Sequence, residues 1–221
     1  DLIGQSQDLG RSGTSPSPPA PDRRAALVVW RRESDRGRHD RASRPHCDGF
    51  GGAKATTIPA KSPLLSDPVD LPVKALENIS ISLFLPKATG PCTCHPQATA
   101  VSLISEPGNF TMGAFTPAST FANRAFISLV EVEPVKPTRV IVTFGDSITD
   151  GTRSTNDGNH RWPDVLAERI QATGGNFAIV NAAISGNRVL SHANAVFGEP
   201  ALSRLDRDVF SVPGVTHMTV L

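Results

Sequence analysis

An apolar run, Val140 to Phe144, leads straight into Gly145-Asp146-Ser147. A strand that is apolar along its whole length needs both faces covered, as in a parallel sheet flanked by helices. The residues after it keep that rhythm. Trp162, Val165, Leu166 and Ile170 have helical spacing, with Pro163 suited to a first turn and Gly174-Gly175 as a stop. Phe177 to Val180 is a second buried strand. Leu202, Leu205 and Val209 give a second helical face between Pro200 and Pro213-Gly214, and Thr216 to Leu221 begins a third strand. Strand, helix, strand, helix, strand predicts parallel strands joined by right-handed crossovers. Ligands of such sheets bind beyond the carboxyl ends of the strands. Gly145-Asp146-Ser147 lies at the first of those ends and Asn181 to Gly186 at the second. The two loops are expected to meet.

The sequence in front of Pro134 is of another kind. Residues 1–48 carry nine Arg and no Lys, while all five Lys of the chain come later. Ser15-Pro16-Ser17-Pro18-Pro19-Ala20-Pro21 suits neither helix nor sheet, and Ala25 to Trp30 is the one apolar stretch. This composition predicts a disordered segment or an out-of-frame translation product. A basic arm for nucleic acid would interleave aromatic residues with the Arg, and this one does not. Residues 49–133 read as a β-rich domain. Ile79 to Leu85 alternates, and so do Val69, Leu71 and Val73; Val101 to Ile104 and Ile127 to Val132 are further strand candidates. Turn residues between them predict a small sandwich-like domain, with Ala118 to Ala125 unassigned. Residues 134–221 then form the α/β portion, behind a linker at Pro134 to Pro137.

Formal net charge is +1, so bulk charge predicts neither nucleic-acid nor membrane binding. No apolar run is long enough to span a bilayer as a helix. Cys92 and Cys94 lie too close together to bridge easily, and three cysteines argue against a disulfide framework. Cys92-Thr93-Cys94-His95 suggests a metal site, but no second ligand pair accompanies it. Neither a P-loop nor G-x-G-x-x-G occurs, so no metal, nucleotide or other cofactor is expected. Asn78-Ile79-Ser80 and Asn109-Phe110-Thr111 match a common glycosylation pattern.

A serine hydroxyl is a weak nucleophile; it needs a base for its proton and donors for the oxyanion it creates. A turn after a strand presents such a hydroxyl. Gly145-Asp146-Ser147-Ile148-Thr149 is not the G-x-S-x-G elbow, because Thr149 stands at its last position. Gly145-Asp146-Ser147-Ile148-Thr149-Asp150-Gly151 instead resembles the first sequence block of the SGNH, or GDSL, hydrolases, and Asn181 to Asn187 resembles their second. Arg161-Trp162-Pro163-Asp164 and Leu205 to Val209 are similar to segments of lysophospholipase-like and arylesterase-like members.

The resemblance implies a three-layer α/β/α flavodoxin-like domain. Ser147 would be the catalytic nucleophile, with the Ser147 and Gly186 N–H groups as oxyanion donors and Gly145 and Asp146 shaping the turn. It also implies a third donor, an Asn in a Gly-x-Asn-Asp block, and an Asp-x-x-His that supplies acid and base. Neither block occurs before Leu221, and Asn187 is not that Asn, so this chain is expected to be impaired as an esterase. Among other residues, Asp146 is expected to hold the turn through backbone N–H bonds. His160 is expected in a loop, His192 at the surface and His217 at the wrong end of its strand. Asp157, Asn159 and Arg161 are expected in a solvated loop, with lining of a substrate cleft as the alternative. The partner expected is a small-molecule or polysaccharide ester. The other function considered is a carbohydrate-binding β module fused to an inactive hydrolase fragment.

Overall fold

A computed structural model describes residues 24–31, 46–47, 49–59, 62–89, 93–113, 116–194 and 196–221, with side chains from residue 49 onward. The strands in chain order are β1 (Arg24–Arg31), β2 (His46–Cys47), β3 (Thr56–Thr57), β4 (Ile79–Phe84), β5 (Cys94–His95), β6 (Ser102–Ser105), β7 (Pro117–Phe121), β8 (Arg124–Ala125), β9 (Arg139–Phe144), β10 (Phe177–Asn181) and β11 (Val215–Val220). The helices are α1 (Ser147–Asp150), α2 (Trp162–Ala172) and α3 (Ala201–Leu205), which continues as a π-helical turn over Asp206–Phe210.

The chain divides into two compact units. Among the described residues, one takes those in Cys92–Ser102 and Thr120–Leu221, and the other those in Gly13–Pro91 and Leu103–Ser119. The second unit contains an antiparallel sheet in which β1 pairs with β4 from Ala26↔Phe84 to Arg31↔Ile79, and with β2 and β3. A strand within the first 48 residues departs from the expectation of disorder there. Its sequence is the apolar stretch Ala25 to Trp30, and pairing with β4 satisfies its backbone. The expected strand over Val69 to Val73 is absent: residues 63–74 hold no strand, and Pro63, Pro68 and Pro72 remove ladder donors from them. Ile127 to Val132 forms no strand either. Leu129 instead packs against the core of the first unit. The described sheets outside the α/β portion are small.

The first unit has an α/β fold. Its parallel sheet runs β10-β9-β11, registered by Val180↔Val142 and Val220↔Phe144. The chain leaves β9 to one side for β10 and crosses back past it for β11. With right-handed crossovers, those opposite directions put the two connecting helices on opposite faces of the sheet. Val142, Phe144, Val180 and Ala182 share one face and pack with Val209 and Val212 after α3. The alternate residues Thr143, Ile179 and Asn181 are buried too, and α2 lies against β10. Helix α2 has Pro163 in its first turn and Gly174 at φ +72° past its end, as the sequence predicted.

The second helical face is only partly as expected. Val209 is fully buried, but Leu202 is 62% exposed, and Arg204 is the residue at 0%. The π turn, closed by Ser211 N–H donating to the Asp206 carbonyl at 2.9 Å, accommodates this. Its wider winding keeps Arg204, Asp208 and Val212, spaced by fours, on the buried side.

Candidate active site

The carboxyl ends of β9 and β10 carry the two loops, and the parallel ladder extends into them. Ala182 N–H donates to the Thr143 carbonyl at 2.8 Å and Ile184 N–H to the Gly145 carbonyl at 3.1 Å. In the first loop Asp146 caps α1, its carboxylate accepting from Ile148 N–H at 3.0 Å. Ser147 opens α1 and is half-buried. Its carbonyl is held from below, by Gly151 N–H at 3.1 Å and Thr152 N–H at 3.0 Å. In the second loop Asn187 N–H closes a turn onto the Ile184 carbonyl at 3.0 Å, and Gly186 stands within it at φ +75°. Asn181 ties the loops again, donating to the Thr149 carbonyl at 2.8 Å and accepting from Ala183 N–H at 3.1 Å.

One further contact joins the serine's support to the second loop. Thr152, whose N–H supports Ser147, shares a 2.9 Å hydroxyl contact with Ser185, the neighbour of Gly186. Among the described residues, the N–H groups of Ser147 and Gly186 and the Ser147 hydroxyl have no hydrogen-bond partner. Gly145 leaves room for the end of the third strand: a Cβ there would lie 2.1 Å from the Leu221 carbonyl oxygen and 2.8 Å from Thr149 Oγ1. The first of these is backbone and cannot rotate away. Gly145→Ala is therefore expected to destabilise the chain by about 1–3 kcal/mol. Urea unfolding measures that, and hydrogen exchange at Met218 to Val220 shows whether the third strand is the part released.

The group that binds both loops from beneath escaped the sequence reading. Arg204 donates to the Ala182 carbonyl at 2.6 Å, to Asn187 Oδ1 at 3.0 and 3.1 Å, and to Asp208 at 3.0 Å. Its guanidinium also stacks 4.1 Å from the centre of the Phe144 ring. Burial pushes its pKa down while Asp208 pulls it back up. Asp208 is also held by Arg207, with Nε at 2.7 Å. Burial works against the Arg207 cation too, but its bonds to Asp208 and Glu199 outweigh that and raise its pKa. Asn187 is committed to structure, since its amide nitrogen donates to the Phe197 and Glu199 carbonyls at 2.9 and 2.7 Å. The spacing of Arg204 and Asp208, four apart on a helix, was the available signal.

A second buried charge cluster lies under α1. Asp150 accepts from Ser185 N–H at 2.8 Å, from the Ser185 hydroxyl at 2.6 Å and from His95 at 2.8 Å. Arg161, expected in a solvated loop, is 9% exposed and pairs with Asp164 through both Nε and Nη2. Its stem packs against Gly151, where a Cβ would approach it to 2.2 Å. Arg124 is brought down to about 10, by burial first and then by Arg161, with Asp150 and Asp164 pulling the other way. Cys94 is disulfide-bonded, contrary to the expectation from cysteine count, and that removes it as a free thiolate ligand. Cys92 lies outside the described residues. Among the described residues no group of three or more His, Cys, Asp or Glu is placed to hold a metal ion.

Asp157 and Asn159 are exposed, both at positive φ. The Asp157 carboxylate accepts from Val101 N–H at 2.8 Å, so it fixes a loop. His160 and His192 are exposed. His217 pairs with Ile141 across the sheet, bonds Thr216 and stacks on Phe177 at the amino end of β10, away from Ser147.

Residues 143–216 match the model of the GDSL-like lipase/acylhydrolase family. Among solved structures, the chain is similar to AlinE4, an SGNH-hydrolase family esterase, at 26% identity over 39% of this chain and 41% of that one, with a TM-score of 0.31. The chain thus spans about two fifths of the length of that relative. No curated protein matches. The stretch matched by that family model holds both loops and the strand Phe177–Asn181 between them.

Proposed function

We propose that this chain carries the nucleophile and two oxyanion donors of a serine ester hydrolase. The observation that supports it most is the pair of loops at the sheet edge. One presents the Ser147 hydroxyl, the other Gly186, and both N–H groups are without acceptors among the described residues. In this reading Ser147 Oγ attacks an ester carbonyl while a base takes its proton. The tetrahedral oxyanion accepts from the Ser147 and Gly186 N–H groups. The alcohol then leaves with a proton, and water releases the acyl group from Ser147. The substrate is a small-molecule or polysaccharide ester, and no cofactor takes part.

No histidine among the described residues meets the Ser147 hydroxyl. The 221 residues alone are accordingly proposed to acylate slowly, since loss of the base of a serine–histidine pair costs about 10⁶ in kcat. A fluorophosphonate probe tests the nucleophile without requiring turnover. With excess probe and long incubation it is expected to add one phosphonyl group at Ser147, slowly, and none to Ser147→Ala. Equal labelling of the Ser147→Ala chain, or a label located elsewhere by peptide mass analysis, would overturn the assignment.

A further inference from the structure

We propose that His95 and Asp150 are positioning residues that fix the Ser185–Gly186 backbone beside Ser147. The inference rests on the hydrolase reading for its consequence, but its geometry stands apart from it. Asp150 is 3% exposed and closes α1, the helix that Ser147 opens. Its Oδ2 takes both bonds from Ser185, at 2.8 and 2.6 Å, leaving Oδ1 for His95 Nε2 at 2.8 Å. A carboxylate this deeply buried holds such bonds strongly, because no water competes for it.

His95 is itself 5% exposed, and its Nδ1 has no partner. Of the two neutral tautomers, the one with the proton on Nε2 donates to Asp150 and leaves only a lone pair unpaired. The other would strand a buried N–H, the costlier loss. His95 thus serves as a donor to Asp150 and has no second task. Strand β5 delivers it, paired with β8 through His95↔Arg124 and following the disulfide-bonded Cys94. A residue far ahead of the catalytic sequence blocks is thereby tied to the loop that carries Gly186. Removing its bond frees Asp150 to shift, and Ser185 moves with it. The Gly186 N–H then leaves the line it needs toward an oxyanion.

The test uses the full chain with His95→Leu and His95→Gln, the latter offering an amide donor in place of Nε2–H. Two measurements are made well below Tm: NMR of the Ser185 and Gly186 amides, reading hydrogen exchange at Ser185 and the amide chemical shift at Gly186, and the rate of fluorophosphonate labelling of Ser147. His95→Leu is expected to exchange faster at Ser185, to displace the Gly186 amide resonance and to label about tenfold more slowly, with His95→Gln restoring most of each. Val212→Ala, a core change remote from Asp150, is the control for lost stability. Equal slowing in Val212→Ala and His95→Leu at matched Tm would make His95 merely structural, and unchanged exchange at Ser185 with an unmoved Gly186 resonance would overturn the proposal outright. If His95→Leu does not fold, Ser185→Ala removes the 2.6 Å bond to Asp150 together with the 2.9 Å Thr152 contact, Thr152→Val removes the latter alone, and a larger displacement of the Gly186 resonance in Ser185→Ala is then the deciding result. If no chain labels at Ser147, the hydrolase reading fails while the exchange data still decide the positioning role.

Discussion

Replacing Arg204 with Met is expected to cost the protein a large share of its stability. The guanidinium is 0% exposed and bonds a backbone carbonyl from the second loop, the side-chain oxygen of Asn187 and the carboxylate of Asp208. Met fills a similar volume and keeps the contact with Phe144, so the loss is electrostatic rather than a cavity. Asp208, itself 1% exposed, would lose that guanidinium and keep its bond to Arg207. Removing one partner of a buried pair costs about 3–5 kcal/mol, against total stabilities of about 5–15 kcal/mol. Urea denaturation of Arg204→Met should show that fall in midpoint. Arg204→Met combined with Asp208→Leu should recover part of it, because no carboxylate is then stranded. A single variant with wild-type stability would mean that water reaches the site and that Arg204 does not clamp the loops.

The sequence made the α/β portion legible because its signals are local. Val140 to Phe144 and Phe177 to Val180 are apolar runs of a strand's length, Thr216 to Leu221 follows the Pro213-Gly214 stop, and strands form at Arg139–Phe144, Phe177–Asn181 and Val215–Val220. Helix α2 announced itself by spacing and by Pro163. Gly145, Asp146, Ser147 and Gly186 were visible for a similar reason: each lies in a contiguous block whose turn chemistry can be read residue by residue. What stayed hidden depends on partners far along the chain. His95 meets Asp150 across 55 positions, and nothing near His95 hints at a carboxylate. Arg204 meets Ala182 and Asn187 across 22 and 17 positions, and nothing beside it in the sequence marks those partners. The strand at Arg24–Arg31 was masked by its Arg- and Pro-rich flanks, since its stability comes from pairing with Ile79–Phe84. The reverse error at Val69 to Val73 has a local cause: alternation survives prolines, but ladder hydrogen bonds do not.

Gly186→Ala is expected to lower Ser147 reactivity by about 10² to 10³, the usual loss when one oxyanion donor is displaced. Two effects combine there. The residue sits at φ +75°, where an L side chain costs about 1–2 kcal/mol. A Cβ would also stand 2.6 Å from Cγ and Cδ1 of Phe197, inside van der Waals contact. Phe197 has little freedom to retreat, because its carbonyl is held by Asn187 and its N–H by Asn194. The amide of residue 186 must move instead. Pairing Gly186→Ala with Phe197→Ala separates the two effects, since it removes the clash and leaves the backbone strain. If the clash displaces the amide, the double variant regains most of the labelling rate by fluorophosphonate although it is no more stable than either single variant. If labelling stays low in both, the positive φ itself is what the oxyanion geometry requires. Wild-type labelling by Gly186→Ala would remove Gly186 from the chemistry and leave the Ser147 N–H as the only donor supported by this loop pair.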